Sequence, residues 1–474
     1  FASVKYNNLT LGVVQWQYVN GYGLSYPFDL AQPNVDWKFD VSHKYLRHEE
    51  TYHDISIKTL LQSIEEEEGG GFVFSNNQGD GTSALTIQDW KSASEAWKFR
   101  QDYNTQLNDN FRLQGGIKYQ RNTLAKEWDI CGDNPDTCSS GAPSSEISTT
   151  DSSFTTVVKT NSSFSSDKQF NTTDKGIYTL ASYNYDHYIF SGAIRYDKNS
   201  LYGSYAKKRL SAAYHLSDKR TLKYIYGEAF QEPSALTAWS DQRSGIENPK
   251  VEEVANHEII YMHYMDQLSQ EVSLYQTSID NVTLINSDGS ENAIRTITGV
   301  EYRLNYSMAN FIKNSPDIIG HMYYTYTDSQ TNRTYDSAQG LWQDKTSDTG
   351  DIAPHKLQLG FNMPLLNGWR FNMNAKYYSE RDLYSTNALN TQNITVDKLT
   401  LVDIALGFSI KPLTLDIRVE NIFDKKHYLP GNLAADAGND FFESDGSIKR
   451  ATAFNNSLVP QTGRTGMITL GVVF

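Results

Sequence analysis

The histidines are the side chains in this sequence best suited to acid–base chemistry, and their spacing does not build a catalytic group. His43, His48 and His53 follow one another at intervals of five residues, and on a strand this interval turns successive rings to opposite faces. His257 and His263 could share one strand face, but no recognisable nucleophile motif accompanies them. The sequence therefore predicts that the protein is not an enzyme.

Two cysteines, Cys131 and Cys138, are the other residues with obvious reactivity. They lie close together in a polar stretch that lacks the paired C-x-x-C spacing of zinc sites, so one local disulfide in an oxidising compartment is favoured over a metal site. The acidic run Glu65 to Glu68 adjoins Gly69 to Gly71 and is predicted to be a loop rather than an acid–base pair. No metal and no cofactor are expected.

Composition restricts the class of protein. The 474 residues contain no stretch of about 18 consecutive apolar residues, and the mean hydropathy is -0.55, which together exclude a helical membrane protein. A transmembrane β-barrel is not excluded, because its strands need an apolar side chain only at every second position. The aromatic content of 13% favours strands. The net charge of -14 argues against nucleic acid as a partner.

Strict alternation of apolar and polar or small residues is the strongest pattern in the chain. It is clean over residues 402–410 and 413–420, which are joined by Lys411-Pro412, and over residues 356–363 and 369–376. Alternation with period two over about ten residues is the spacing of lipid-facing and lumen-facing side chains on a barrel wall. A soluble sandwich would show the same alternation, but its connections would be similar in length at both ends.

Connections of two very different lengths separate the predicted strands. Tight turns are predicted at Asn7-Asn8, His53-Asp54, Asn108 to Asn110, Asp186-His187, Ser217 to Arg220, Asp266-Gln267, Asn314 to Asp317, Asn367-Gly368 and Lys411-Pro412. Mostly long connections lie between them, the largest at about 23 to 41, 64 to 90, 127 to 174, 235 to 251, 329 to 353 and 425 to 461. This asymmetry is typical of outer-membrane barrels, which have short periplasmic turns.

Nine turns and nine longer connections predict an all-β fold, a large antiparallel transmembrane barrel with nineteen strands. The first strand, around Ala2 to Tyr6, and the last, around Gly463 to Phe474, both run toward the short turns. Bacterial single-chain barrels usually have an even number of strands, and plugged transporters have about 22. Three N-terminal strands are therefore expected to be absent, and the start at Phe1, without methionine or signal peptide, fits a mature or truncated chain.

Aromatic girdles at the two membrane interfaces are the expected place for most tryptophans. Trp16, Trp97 and Trp369 fall within predicted strands, and Trp90 and Trp128 near strand ends. Ordinary burial would account for any one of them equally well. The charged residues that alternate with apolar ones are predicted to face the lumen, namely Arg370, Lys376, Asp403, Asp416 and Arg418.

Three stretches carry a resemblance to a known family. The run Val419 to Lys425 reads V-E-N-I-F-D-K, and the chain ends on an alternating strand, Met467 to Phe474, that closes on an aromatic residue. The stretch Tyr226 to Pro233 reads Y-G-E-A-F-Q-E-P and leads to Asn248-Pro249, and Thr298 to Glu301 reads T-G-V-E. These stretches are similar to motifs of TonB-dependent outer-membrane receptors, although Gln231 replaces the usual arginine of the third one.

The resemblance implies the β-barrel of such a receptor over residues 1–474, without the N-terminal plug. It implies an active-transport receptor that binds a scarce nutrient, most often a ferric siderophore, through extracellular loops and imports it with TonB energy. The implied partners are the small ligand, the TonB complex acting through the absent plug, and outer-membrane lipid and lipopolysaccharide, with the receptor as a monomer. In the family a terminal aromatic such as Phe474 is part of the signal for barrel insertion.

Residue assignments beyond the wall are few. Trp239 and Trp342 lie in predicted aromatic loops and are candidates to stack on the rings of a siderophore. Haem is disfavoured as cargo, because residues 234–247 lack the histidine that haem receptors of the family carry there. Two alternatives stay open, a passive porin and an outer-membrane barrel hydrolase, and the sequence does not choose the ligand.

Overall fold

A computed structural model describes residues 1–20, 37–77, 83–130, 143–146, 157–160, 170–233, 250–286, 289–308, 317–336, 339, 341–385, 387, 394–430 and 458–472. Nearly all of this part of the chain is β-structure, with one 3₁₀ turn at Leu366–Gly368. The described residues contain no helix that is long and apolar enough to cross a membrane.

The strands are numbered in chain order. They are β1 (Ala2–Tyr6), β2 (Leu9–Asn20), β3 (Trp37–Tyr52), β4 (Ile55–Asn77), β5 (Ser83–Asn108), β6 (Phe111–Ile130), β7 (Pro143–Glu146), β8 (Val157–Thr160), β9 (Phe170–Tyr185), β10 (Tyr188–Asn199), β11 (Gly203–Ser217), β12 (Arg220–Gln231), β13 (Glu252–Met265), β14 (Leu268–Asn286), β15 (Gly289–Met308), β16 (Ile318–Asp336), β17 (Leu341–Asp348), β18 (His355–Pro364), β19 (Trp369–Tyr378), β20 (Arg381–Asp382), β21 (Thr395–Val396), β22 (Leu399–Ile410), β23 (Leu413–Glu420), β24 (Tyr428–Pro430), β25 (Leu458–Pro460) and β26 (Thr465–Val472).

Nineteen of these strands form one continuous antiparallel wall, as predicted. Each pairs with the next in the order β1 to β6, β9 to β16, β18, β19, β22, β23 and β26. The sheet contains 22 strands in all, but its other members, β7, β8 and β17, are short strands attached outside this order. They are not the three N-terminal strands expected from the sequence, which stay a prediction.

One face of the wall is apolar from end to end. Directly opposed residues of antiparallel strands share a face, so a row can be followed across the sheet through Val4, Leu11, Leu46, Leu61 and Phe99. A second row, at the other end of the sheet, runs through Ile468, Ile417, Leu406, Phe371 and Met363. None of these ten side chains is buried, and Val4, Leu11, Leu61 and Ile468 are exposed. An apolar face of this extent fits lipid rather than water.

The opposite face of the wall is polar and faces the lumen. The five charged residues predicted to face the lumen all lie on it, among them Arg370, opposite Gly407, and Asp416, opposite the same glycine. Asp403 lies opposite Asn374 on this face, and Lys376 lies opposite Gln358. The period-two reading of the sequence is therefore confirmed for both faces.

Tight hairpins join the strands along one edge of the wall. Two-residue turns follow β1, β3 and β9, and the first central residue has positive φ in each: Asn7 (50°), His53 (52°) and Asp186 (49°). Two-residue hairpins favour this left-handed conformation because it matches the twist of the flanking strands, and Asn and Asp adopt it at low cost. The turn predicted at Asn314 to Asp317, between β15 and β16, lies outside the described part of the chain except for Asp317.

At the other edge the wall departs from the sequence prediction. Much of the span 64–90, predicted as a loop, is strand: β4 continues to Asn77 and β5 begins at Ser83, so Glu65 to Glu68 pair with β5. β6 likewise extends into the predicted loop at 127–174. Hydrogen bonding between strands continues beyond the band that faces lipid, and it does not require alternating apolar side chains. The alternation pattern therefore underestimates the length of these strands.

Aromatic rings gather on the outer face just beyond the short turns. The rings of Tyr188 and Tyr214 stack with centroids 4.6 Å apart, and Tyr183 and Tyr185 stack at 6.3 Å. Trp369 lies on the same face, 4.7 Å from Phe408, and Trp97 lies outward near the opposite edge. The predicted girdle holds for these two tryptophans.

Trp16 is an exception. It lies on β2 as predicted, but it is opposite Val41 and therefore faces the lumen. The adjacent apolar pair Val13-Val14 puts apolar residues on both faces, so the local pattern does not reveal which face Trp16 occupies. The side chains of Trp90 and Trp128 lie outside the described residues.

Candidate functional site

The lumen face of β5 to β12 is strongly basic. Among the described residues of this face eight basic side chains accompany three carboxylates, Asp102, Asp174 and Asp197, which leaves a surplus of five positive charges. We call this surface the basic lumen sector, and its basic residues are Lys98, Arg100, Arg112, Lys118, Arg195, Lys207, Arg209 and Lys223. The surplus contrasts with the net charge of -14 for the whole chain.

Asp197 organises the centre of the basic lumen sector. Its side chain is only 3% exposed, and Arg195 donates to it from Nε at 2.5 Å and from Nη2 at 3.0 Å. Lys118 Nζ lies 2.9 Å from the Asp197 carboxylate, although its strand β6 is separated from β10 by β9. The position between them on β9 is Gly176, and its missing side chain leaves the room in which Lys118 crosses to Asp197.

The same arrangement occurs at the next lumen-facing residue of β9, Tyr178, two residues after Gly176. Tyr178 on β9 donates from its hydroxyl to Asp102 on β5 at 2.5 Å, and the residue between them on β6 is Gly116. A Cβ on Gly116 would lie 2.7 Å from the Tyr178 ring and 2.8 Å from the Asp102 carboxylate. Arg100 Nε also donates to Asp102, at 2.8 Å. Two glycines thus allow side chains to interact across an intervening strand.

We call a contact between two side chains across an intervening glycine a glycine crossing. Two further glycine crossings lie elsewhere on the lumen face. Tyr275 passes Gly299 to reach the hydroxyl of Thr327 at 3.1 Å, and Arg370 passes Gly407 to form an ion pair with Asp416. Gly299 belongs to the T-G-V-E stretch of the sequence. Each crossing links one strand to its second neighbour in the sheet. These links add to the backbone hydrogen bonds between adjacent strands.

An open cavity of about 390 Å³ lies against the basic lumen sector. Its lining includes Arg100, Lys118, Arg195, Lys207 and Arg209. The Arg100 and Arg195 side chains are 56% and 51% exposed, whereas that of Lys207 is 13% exposed and bonded to Glu253 at 2.7 Å. Cationic groups at an open cavity can bind anions through charge-assisted hydrogen bonds.

A second polar group borders the basic lumen sector at its long-loop end, just beyond the last residue of β12. Glu232 Oε1 accepts from Asn199 Nδ2 at 3.0 Å, and the same amide donates to Asp174 Oδ1 at 2.9 Å. Asn122 donates to Thr172 at 3.0 Å within the group. Burial, together with the nearby Asp174 carboxylate, raises the pKa of Glu232 to about 6. The group fastens the end of β12 to β9 and β10.

This raised pKa predicts a pH-dependent stability. The pKa of Glu232 is near 4.5 when unfolded and about 6 when folded, so the folded form holds its proton more tightly and stability falls as the pH rises from about 4.5 through about 6. This shift corresponds to about 2 kcal/mol, and solvent screening of the half-buried carboxyl reduces it. Glu232→Gln should therefore stabilise the barrel at pH 7.5 by about 1 kcal/mol, with little effect at pH 4.5. Thermal unfolding of the detergent-solubilised receptor at the two pH values measures this change in stability. Asp109→Asn, in an exposed turn, is the control. Equal effects of Glu232→Gln at both pH values would contradict the prediction.

The residues singled out from the sequence do not form one site. Trp342 lies on β17, 5.3 Å from the ring of Tyr335, and its indole Nε1 is buried without a hydrogen-bond partner among the described residues. Trp239, Cys131, Cys138 and Phe474 lie outside the described residues. The cationic residues of the basic lumen sector went unrecognised, because they are scattered over strands β5 to β12 and only the register brings them together.

The V-E-N-I-F-D-K run has a structural role. Asn421 accepts from the Lys425 N–H at 2.9 Å and donates to the Lys425 carbonyl at 3.0 Å, while its own N–H donates to Asp403 at 2.9 Å. Asp424 accepts from the Arg464 N–H at 2.8 Å. The run thereby reverses the chain after β23 and holds the residue that precedes β26.

An antiparallel wall with an apolar exterior and a polar lumen defines a transmembrane β-barrel. Residues 3–422 match the family model described as "TonB dependent receptor-like, beta-barrel". The chain therefore belongs to the TonB-dependent receptor family, and its place is the bacterial outer membrane.

Individual relatives are distant. The vitamin B12 transporter BtuB of Vibrio cholerae serotype O1 is 21% identical over 266 residues, which cover 55% of this chain and 40% of that protein. The ferric citrate transporter FecA superposes with a TM-score of 0.63 at 13% identity, covering 98% of this chain and 68% of FecA. The ferric-catecholate import receptor Fiu of E. coli K12 gives 0.64 at 14% identity, covering 98% and 72%. The chain thus spans less than half of the curated relative, and the structural likeness shows the shared fold. The matched relatives are transporters and receptors.

Proposed function

We propose that the full-length protein binds a ferric siderophore on the extracellular side of the outer membrane and imports it with energy from the TonB complex. The observation that carries the proposal is the basic lumen sector inside a TonB-dependent receptor barrel, because many ferric chelates carry acidic oxygens that pair with arginine and lysine. Likeness of fold to FecA and Fiu supports the same choice.

Growth of the source bacterium on defined iron sources tests this function. A strain lacking the gene should fail to grow when one ferric siderophore is the only iron source, and it should recover with iron salts in excess. Uptake of the labelled siderophore should stop when the proton motive force is collapsed, because TonB-dependent import is energised. Uptake that continues after the collapse would favour a passive porin.

Cobalamin is the second candidate cargo, because the curated relatives are vitamin B12 transporters. The same deletion strain, made auxotrophic for cobalamin, separates the two cargoes: a strain that needs the protein for cobalamin and grows normally on every iron source would overturn the siderophore proposal. A plug that precedes this barrel, contact with lipopolysaccharide and a monomeric state belong to the same proposal. So does a disulfide between Cys131 and Cys138.

Trp342 is proposed as a ligand contact. Its ring packs beside that of Tyr335, and two neighbouring aromatic rings offer a stacking surface to the rings of a siderophore. Trp342→Phe should reduce the quenching of tryptophan fluorescence by the bound ferric siderophore and weaken binding about fivefold. Trp369→Phe, in the outer girdle, is the control and should leave both quantities unchanged. Equal effects of the two substitutions would remove Trp342 from the site. Trp239 is proposed for the same role on the sequence alone.

A further inference from the structure

We propose that the basic lumen sector is itself a binding site for an anionic chelate, one that holds cargo against the barrel wall through Arg195, Arg209 and Lys118. The inference rests on the proposed function and narrows it, since it specifies cargo with several negative charges in place of neutral or cationic cargo. The site lies on the wall of the lumen, away from the aromatic residue proposed as a ligand contact.

The position of the sector in the barrel favours this role. Tyr178, Arg195 and Lys118 each lie about eight residues from the short turn of their hairpin. At about 3.3 Å per residue and a strand tilt of about 45°, this places them roughly 19 Å above the short-turn edge. Cargo that passes from the long-loop edge to the short-turn edge would meet this wall on its way.

The cationic groups face the open lumen in the part of the chain that the structure describes. Arg209 is exposed and lines the cavity, and it has no ion-pair partner among the described residues. Lys98 and Lys223 have none either within the same part of the chain. Arg195 and Arg100 are more than half exposed while bonded to their carboxylates. A guanidinium that bonds a carboxylate through one edge still presents N–H donors on the other.

The carboxylates hold the cations in place instead of cancelling them. Asp197 takes two bonds from Arg195 and one contact from Lys118, so one negative charge fixes the positions of two positive ones. The bond between Tyr178 and Asp102 places a ring under Arg100, 5.9 Å from its guanidinium carbon. Cations that are already ordered lose less entropy when they bind.

The charges on the lumen face of β13 to β15 do not repeat this surplus. On β13 to β15, Arg303 lies 3.1 Å from Glu301 and 3.7 Å from Glu271, and Ser273 donates to Glu258 at 2.6 Å. Acidic and basic groups are interspersed there. Anionic cargo would therefore be attracted to the basic lumen sector more strongly than to β13 to β15, and the strength of that attraction should fall with added salt.

Binding measurements on the full-length receptor in detergent test the site. The probes are ferric citrate, which is anionic, and the ferric complex of a linear trihydroxamate without negative charge. The double variant Arg195→Gln/Arg209→Gln removes two cations of the sector and leaves Lys118 on Asp197. The double variant Lys356→Gln/Lys376→Gln removes two cations from the lumen face of β18 and β19 and is the matched control for net charge.

The first variant should weaken ferric citrate binding at least tenfold at low salt and flatten its salt dependence, while trihydroxamate binding and the control variant change less than twofold. Equal losses in the two variants would mean that only the overall charge matters, and would overturn the proposal. Equal losses of both chelates in the first variant would assign the sector to contact with another part of the receptor, which also overturns it.

A substitution that keeps the charge guards against a folding defect. The double variant Arg195→Lys/Arg209→Lys retains both positive charges, so ferric citrate should bind within about threefold of the unchanged receptor. A loss as large as that of Arg195→Gln/Arg209→Gln would contradict the site. Suppose that ferric citrate binds normally to Arg195→Gln/Arg209→Gln while iron uptake still requires the protein; the proposed function then stands and this inference fails. A deletion strain that grows normally on every iron source would instead contradict the proposed function.

Discussion

Ile259→Arg should destabilise the folded barrel in a bilayer by about 2–4 kcal/mol, whereas Ile260→Arg, one residue later, should be tolerated. Ile259 lies on the outer face in a row with Tyr224 and Leu274, and it is 48% exposed without lipid. Ile260 lies on the lumen face, opposite Lys223 and Ser273. An arginine that faces the middle of the bilayer costs about 2–4 kcal/mol, and one that faces a wet lumen costs little.

The measurement is the free energy of unfolding in denaturant from lipid vesicles, with the amount of folded receptor in the outer membrane as a second readout. The two variants carry the same charge on neighbouring residues of β13, so each is the control for the other. If Ile260→Arg were the damaging substitution, the lumen and lipid faces would be exchanged, and the assignment of the basic sector to the lumen would fail with them.

Gly176→Val should destabilise the barrel by about 3 kcal/mol. A Cβ at this position would lie 2.6 Å from Asp197 Oδ1 and 2.8 Å from Lys118 Cε, so the side chain would displace Lys118 from a buried carboxylate. Overpacking costs about 1–3 kcal/mol, and the loss of one partner from a largely buried ion pair adds to it. The unfolding free energy of the detergent-solubilised receptor measures the sum.

Gly192→Val is the matched control, because Gly192 lies on the outer face of the neighbouring strand β10 and a Cβ there would meet only Leu210 Cδ2, at 3.5 Å. This substitution should be neutral or slightly stabilising, since valine is a better strand residue than glycine. Similar losses in the two variants would indicate that strand glycines matter for backbone flexibility, and would contradict the role given to Gly176.

Three residues of the family-like stretches make specific contacts in the wall. Gly299 of the T-G-V-E stretch leaves room for Tyr275 to reach Thr327, and Asn421 of V-E-N-I-F-D-K reverses the chain through three hydrogen bonds. Glu232, in the Y-G-E-A-F-Q-E-P stretch, shares Asn199 with Asp174. Gly299, Asn421 and Glu232 each have a position-specific role in the wall, so a replacement at any of the three would lose it.

The sequence by itself determined the fold class, the number of wall strands and the face that most strand residues occupy. A strand repeats every two residues, so the face of Leu406 or Asp416 is encoded in its immediate neighbours, and short turns are encoded in residues such as Asn7 that tolerate positive φ. The alternation pattern gave the wrong face for Trp16 and the wrong ends for β4 and β5, because the residues there do not alternate between apolar and polar.

Only the tertiary structure decided what the lumen face can do. Lys118, Gly176 and Asp197 come from three strands, and Arg209 from a fourth; no local pattern predicts that they meet. Their proximity depends on register, and register is set by hairpin geometry and by the requirement that every strand turn its apolar residues to the same side. The basic lumen sector therefore depends on contacts between residues of different strands, whereas the fold is predicted by the pattern of residues within each strand.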